Sequence, residues 1–221
     1  FFLALTLHLC YTFFSESFQR LRKEHPMGKI FCLMGKSSSG KDTIYKKLLE
    51  QKLPLRTIIP CTTRPIRDKE THGVEYYFYT EDDLARLIVA GKIIELRAYN
   101  TIHGVWKYFT ADDGQIDLTH YNYLIIGTLE SYRKMQEYFG PGKLVPIYIC
   151  VDDGLRLQRA LDRERSQEAP KYAEMCRRFL ADEQDFSPEK LAAAGIDRQF
   201  LNKELAETTA EITAFIQEQT G

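Results

Sequence analysis

Short, almost wholly apolar runs alternate along this chain with longer segments whose apolar residues recur every three or four positions. Residues 29–34 form such a run, and its continuity predicts a strand buried on both faces. A Gly/Ser-rich turn follows. Residues 42–52 then carry Ile44, Leu48 and Leu49 at helical spacing and stop before Pro54. Residues 55–60 predict a second strand, and residues 73–79, alternating with aromatics, predict exposed rather than central sheet. An amphipathic helix is predicted over 81–90 with Gly91 as its stop, and a pair of strands over 92–99 and 105–110.

Beyond position 120 the same alternation resumes. Residues 121–126 and 144–151 are apolar runs separated by a helical pattern over 129–139. Charged helices are predicted at about 153–166 and 170–186, and a last helix at about 203–218. Strands alternating with helices predict an α/β fold, a central parallel sheet covered on both faces. The polar, aromatic segment 61–110 interrupts the alternation and reads as an inserted lobe. There is no internal repeat and no long low-complexity linker.

Composition narrows the function classes. The formal net charge of −1 gives no global basic field, so nucleic acid is not the expected partner, and any anion site must come from local geometry. The five cysteines, Cys10, Cys32, Cys61, Cys150 and Cys176, show no paired metal-ligand spacing. Cys32 and Cys150 lie inside apolar runs, as free thiols do, which fits a reducing, cytoplasmic setting. The run from Phe1 to Phe14 is too short to span a bilayer comfortably and lacks a basic region before it, so no membrane partner is expected. Residues 1–26 read as an extension outside a functional domain at 27–221, with a peripheral helix or anchor as the other reading. Oligomeric state is not legible.

The densest chemical signal is Gly35-Lys36-Ser37-Ser38-Ser39-Gly40-Lys41, a G-x-x-x-x-G-K loop between a predicted strand and a predicted helix. Glycines let successive backbone N–H groups converge on phosphate oxygens, and the helix N-terminus adds partial positive charge. The lysine then reaches the transferred phosphate. This predicts a P-loop NTPase three-layer fold with ATP on Gly35, Ser37, Ser38, Ser39, Gly40, Lys41, Asp42 and Thr43. Asp42 stands where a hydroxyl normally touches Mg²⁺, and Thr43 follows it. Two readings of Asp42 stand together: an oxygen ligand for Mg²⁺, or a cap on the following helix.

A second cluster lies at Thr62-Thr63-Arg64-Pro65-Ile66-Arg67-Asp68-Lys69-Glu70 and continues through Gly73-Val74-Glu75-Tyr76-Tyr77-Phe78. Two arginines three residues apart, beside hydroxyls and a tyrosine, suit a clamp for a phosphate monoester. This segment resembles the guanylate kinase pattern T-T-R-x-P-R-x-G-E-x-x-G-x-D-Y-x-F, at about the family's distance from the phosphate loop. The resemblance covers most of residues 28–218 and implies ATP and GMP (or dGMP) as substrates, with Mg²⁺ as cofactor. It implies that Arg64, Arg67 and Tyr76 hold the GMP phosphate and that Glu70 fills the family's acidic position. Glu95, in Ile93-Ile94-Glu95-Leu96, resembles the glutamate that reads guanine. Arg163 and Arg178 resemble arginines of a lid over ATP, with Arg165 an alternative to Arg163 by register. Asn202, in Phe200-Leu201-Asn202-Lys203-Glu204-Leu205, resembles an asparagine beside the adenine of ATP. The implied layout is a core of 28–60 and 120–221, an acceptor lobe at about 61–110 and a lid at about 153–180.

Several positions depart from the family. Lys36 and Ser38 replace Pro and Gly, Asp68-Lys69 replaces x-Gly, and His103-Gly104-Val105 replaces Tyr-Gly-Ser or Tyr-Gly-Thr. Residues 123–129 lack the aspartates of the family's L-L-D-I-D strand end. The Gly127 strand end and the GKD loop also resemble ribose 1,5-bisphosphate phosphokinases, although these lack the arginine–tyrosine clamp. A third reading is an inactive guanylate-kinase-like module that binds phosphorylated proteins, against which the intact Gly35, Gly40 and Lys41 stand.

Overall fold

The computed structural model describes residues 28–68, 70–101 and 104–220. The readings of residues 1–26, Lys69 and His103 therefore lie outside the described residues. The chain proceeds as β1 (Ile30–Met34), α1 (Lys41–Glu50), β2 (Leu55–Thr57), β3 (Cys61–Thr62), β4 (Tyr77–Phe78) and α2 (Glu81–Val89). It continues as β5 (Ile93–Thr101), β6 (Gly104–Ala111), β7 (Asn122–Ile126), α3 (Leu129–Phe139) and β8 (Leu144–Cys150). The remaining elements are α4 (Asp153–Arg165), α5 (Tyr172–Asp185), α6 (Pro188–Ala193), β9 (Gln199–Leu201) and α7 (Leu205–Thr220).

Strand β1 is central because every one of its five residues is apolar. Alternate side chains serve two cores. Ile30, Cys32 and Met34 pack with Leu129, Tyr132 and Met135 of α3, while Phe31 and Leu33 pack with Ile44 and Leu48 of α1 and Ile212 and Ile216 of α7. All five are fully buried, as a parallel strand covered on both faces requires. The sheet runs β2-β7-β1-β8-β9 with every pairing parallel. Its C-terminal edge is where ligands gather in folds of this kind.

A second sheet, β4-β3-β6-β5, is built within residues 61–111 around Cys61, Leu84, Phe109 and Ala111. The long β5–β6 pair is antiparallel, and α2 starts from a reciprocal cap between Thr80 and Asp83. Gly91 takes φ +66°, the left-handed conformation that a helix stop requires. The expected strand over 55–60 closes at Thr57, and the one over 73–79 reduces to two residues. In both places the missing rungs go to other partners: Ile59 N donates to Gln115 Oε1, and Gly73 N donates to Tyr76 O.

Candidate active site

The phosphate loop joins β1 to α1. Gly35 cannot carry a side chain, since a Cβ there would lie 2.6 Å from Ile149 O and 2.8 Å from Ser39 Oγ. Ser38 (φ 63°) and Gly40 (φ 86°) both take the left-handed conformation that curls the loop. Asn202, 3% exposed, pins this curl from outside by donating from Nδ2 to Ser39 O at 2.8 Å. Its amide is thus spent on the loop itself, next to a shallow pocket of about 430 Å³ lined by Val151, Asp152, Leu155, Leu201 and Lys203. The hydroxyls of Ser38 and Ser39 are buried and accept or donate no hydrogen bond among the described residues.

Lys41 opens α1 and faces a cleft of about 650 Å³ that Ser37, Tyr99, Gly127, Thr128, Arg133 and Asp182 also line. Asp42 is three-quarters exposed, with Oδ2 3.5 Å from Lys41 Nζ. No side chain makes a cap hydrogen bond to α1, whose N-cap is Gly40, and Asp42 lies in the first turn of the helix, where a negative charge is favoured. Thr43 is exposed. No group of three or more His, Cys, Asp or Glu side chains able to hold a metal occurs among the described residues. A single carboxylate beside a phosphate loop nevertheless suits Mg²⁺, which keeps several waters and leans on substrate phosphates.

The arginine–tyrosine cluster belongs to the second sheet. Arg64 is 3% exposed and forks onto Glu70, with Nη1–Oε2 at 3.0 Å and Nη2–Oε1 at 2.8 Å. Glu70 also accepts from the backbone N–H of Arg67 at 2.9 Å. The hydrogen bond from Arg64, aided by that of Arg67, holds the Glu70 carboxyl below its usual range. Arg64 Nε is buried without a partner among the described residues, and the guanidinium lies 5.5 Å from the Tyr76 ring. Arg67 projects its side chain into solvent. Tyr76, Tyr108 and Tyr99 continue edge to face at 5.7 Å per step, which carries the cluster to the cleft that Lys41 lines.

Glu95 does not stand free for a ligand. It is 3% exposed, and Arg97 takes both of its oxygens, Nε–Oε2 at 2.9 Å and Nη2–Oε1 at 3.1 Å. Thr110 Oγ1 donates to Oε1 as well, at 3.0 Å. Arg97 Nη1 then reaches Thr128 Oγ1 at 3.2 Å, just past the end of β7. Sequence reasoning missed Arg97, although its signal was present: residues two apart on a strand share a face. Gly127 is equally constrained, because a Cβ would lie 2.7 Å from Ser131 Oγ and 3.0 Å from Cys32 Sγ.

Neither lid candidate lines the cleft that Lys41 faces. Arg163 lies exposed in the last turn of α4, and Arg178 is exposed on α5, sharing Glu174 with Arg177. The hydrogen bond from Arg177, with that from Arg178, draws the Glu174 carboxyl down to about 2. The buried arginine of this region is instead Arg156, 1% exposed and bonded to Asp153, Asp182 and Glu183. Its aligned signal in the sequence is only the Asp153-x-x-Arg156 spacing.

The guanylate kinase family model matches residues 27–105, which contain both the phosphate loop and the arginine–tyrosine segment. The guanylate kinase of Symbiobacterium thermophilum is 29% identical over 194 residues, covering 86% of this chain and 85% of its own. That of Oceanobacillus iheyensis is 36% identical over 92 residues, covering 40% of this chain and 45% of its own. A crystal structure of guanylate kinase from Anaplasma phagocytophilum superposes with a TM-score of 0.63 at 20% identity, covering 88% of each chain, and so shares the fold.

Proposed function

We propose that this chain, whose residues 27–105 match the guanylate kinase family model, is a guanylate kinase and transfers the γ-phosphoryl group of ATP to a phosphate oxygen of GMP or dGMP. A GMP phosphate oxygen bonds to the γ-phosphorus as the bond to the β,γ-bridging oxygen breaks, giving ADP and the nucleoside diphosphate. The observation that carries this reading is the run of Tyr76, Tyr108 and Tyr99 from the buried Arg64 to the Lys41 cleft. One end carries Tyr76 and an Arg64 whose fork Glu70 holds, the other a loop built for a donor phosphate.

Such a transfer needs positioning and charge neutralisation more than covalent chemistry. Lys41 neutralises charge on the migrating group. Arg64, Arg67 and Tyr76 hold the acceptor, with Glu70 fixing the Arg64 fork. Asp42 or Thr43 would hold Mg²⁺, which would supply charge neutralisation to the donor phosphates. Asn202 holds the loop's curvature beside the donor base. Arg163 and Arg178 are exposed here, so their part requires the helical pair α4–α5, the lid of about 153–180, to close. In this layout residues 61–110 form the acceptor lobe. The free Cys32, Cys61, Cys150 and Cys176 support a cytoplasmic enzyme of small-molecule substrates.

One observation favours a second reading of the acceptor. With both Glu95 oxygens on Arg97, the carboxylate that would accept from guanine is neutralised, and a guanidinium stands beside it. A base-free acceptor, such as ribose 1,5-bisphosphate, needs no carboxylate to read a base. A coupled ADP-release assay with ATP and each of GMP, dGMP, AMP, UMP and ribose 1,5-bisphosphate separates the two. Turnover of GMP and dGMP supports the first; turnover of ribose 1,5-bisphosphate with GMP inert replaces it by the second.

A further inference from the structure

The phosphate loop is not open at its third residue. Ser37 N donates to Asp182 Oδ2 at 2.8 Å, and Asp182 comes from α5. The preceding residue repeats the contact with charges: Lys36 Nζ lies 2.7 Å from both carboxylate oxygens of Glu183. Two adjacent carboxylates pressed on one loop repel, and Arg156 offsets that repulsion. Its side chain is 2% exposed, with Nη1 3.3 Å from Asp182 Oδ2 and Nη2 on Glu183 Oε1. The guanidinium packs 4.0 Å from the centroid of the Phe179 ring, also on α5. Helix α5 is thereby fastened to the loop through Lys36, the residue that departs from the family's proline.

A carboxylate oxygen on a phosphate-loop amide occupies the kind of position where such amides meet phosphate oxygens. One N–H cannot serve two anions well, and two anions brought to the same amide repel. We propose that Asp182 is a stand-in for the donor phosphate: it holds the Ser37 amide in the nucleotide-free enzyme and leaves when nucleotide binds. Donor loading and release of α5 from the loop are then one event, and the helix that carries Arg178 is free to close only on a loaded enzyme. This rests on the donor-side reading of the phosphate loop and not on the identity of the acceptor.

Carbodiimide coupling of the wild-type full chain tests it. The reagent activates Glu183, the Lys36 amine displaces it, an amide forms and the reagent leaves as its urea. The Lys36–Glu183 cross-linked peptide is expected without nucleotide and several-fold less of it with a saturating non-hydrolysable ATP analogue, whose binding calorimetry measures separately. An absent cross-link, or one unchanged with bound analogue, overturns the proposal. If the analogue does not bind at all, the donor reading falls with it. In the variant Asp182→Ala, analogue affinity rises about tenfold if the contact is closed nine-tenths of the time. Unchanged or weaker affinity in a variant that still melts cooperatively overturns the proposal as well.

Discussion

Arg97 takes both carboxylate oxygens of Glu95, two residues away on the same face of β5, at 2.9 and 3.1 Å. The Glu95 side chain is 1% exposed and that of Arg97 11%. Removing one partner strands the other's charge, which costs about 3–5 kcal/mol, whereas replacing both with apolar groups is often close to neutral. Urea unfolding of Arg97→Met is therefore expected to show a loss of that size, and Glu95→Leu/Arg97→Met to recover most of it. A single-variant loss below about 1 kcal/mol would mean that the pair is solvated like a surface ion pair.

Arg64 and Tyr76 bear on acceptor affinity. Arg64→Ala is expected to raise the KM for the monophosphate at least about tenfold, consistent with loss of a charge-assisted hydrogen bond worth roughly 1.5–3 kcal/mol. The KM for ATP should stay within about twofold in the same analysis. Arg64→Lys should not rescue it, since a point charge cannot replace the fork on Glu70. Tyr76→Phe removes one neutral donor and should have the smaller effect. Initial-rate kinetics with both substrates varied would expose an unchanged acceptor KM, which removes Arg64 from the clamp.

The Arg64–Glu70 pair also gives a pH signature. Its hydrogen bonds hold the folded-state Glu70 carboxyl below the ordinary value of 4.5. A depressed carboxyl contributes stability that is present above the unfolded-state value and lost as pH falls through the folded one. Acid unfolding of the wild type should therefore steepen below about pH 4.5, and Glu70→Gln should flatten that part of the curve. Identical slopes for the two proteins would show that the pair gives the carboxyl no folded-state shift.

Gly127 cannot carry a side chain without strain. A Cβ would meet Ser131 Oγ at 2.7 Å and Cys32 Sγ at 3.0 Å, both inside the α3 cap and the β1 core. Gly127→Asp is expected to destabilise by about 1–3 kcal/mol, the usual range for overpacking. A thermal midpoint equal to wild type would show that Ser131 moves aside freely.

The parts of the fold that the sequence disclosed are those set by local periodicity. The five apolar residues of β1 and the Leu129–Phe139 helix stand where the pattern placed them, the latter started by Thr128 accepting from Ser131 N. Strand β9 was hidden because only Phe200 of its three residues is buried, too short for any period. Helix α6, six residues from Ser187 and Pro188, was lost in a charged stretch, although a Ser-Pro start is a readable signal. The site divided the same way. The phosphate loop and the arginine–tyrosine segment are contiguous in sequence and therefore legible. Arg156 and Asp182 lie 26 residues apart, and only the packing of α4 on α5 makes a buried pair of them. Glu95 falls on the expected strand, but its neutralisation depends on Arg97, which the family resemblance does not single out.

Phosphoryl transfer from a donor on the Gly35–Lys41 loop to a nucleoside monophosphate moves the γ-phosphorus itself, so an isotope can follow it. The most direct measurement follows ATP labelled at its γ-phosphorus, incubated with GMP and Mg²⁺, with the products separated and counted. Label is expected in the β-phosphate of GDP, with one ADP formed for each, and at a rate reduced by roughly 10²–10³ or more in Lys41→Ala, which removes a cation from the transferring group. Label released only as inorganic phosphate, or carried to ribose 1,5-bisphosphate while GMP stays unlabelled, would contradict it.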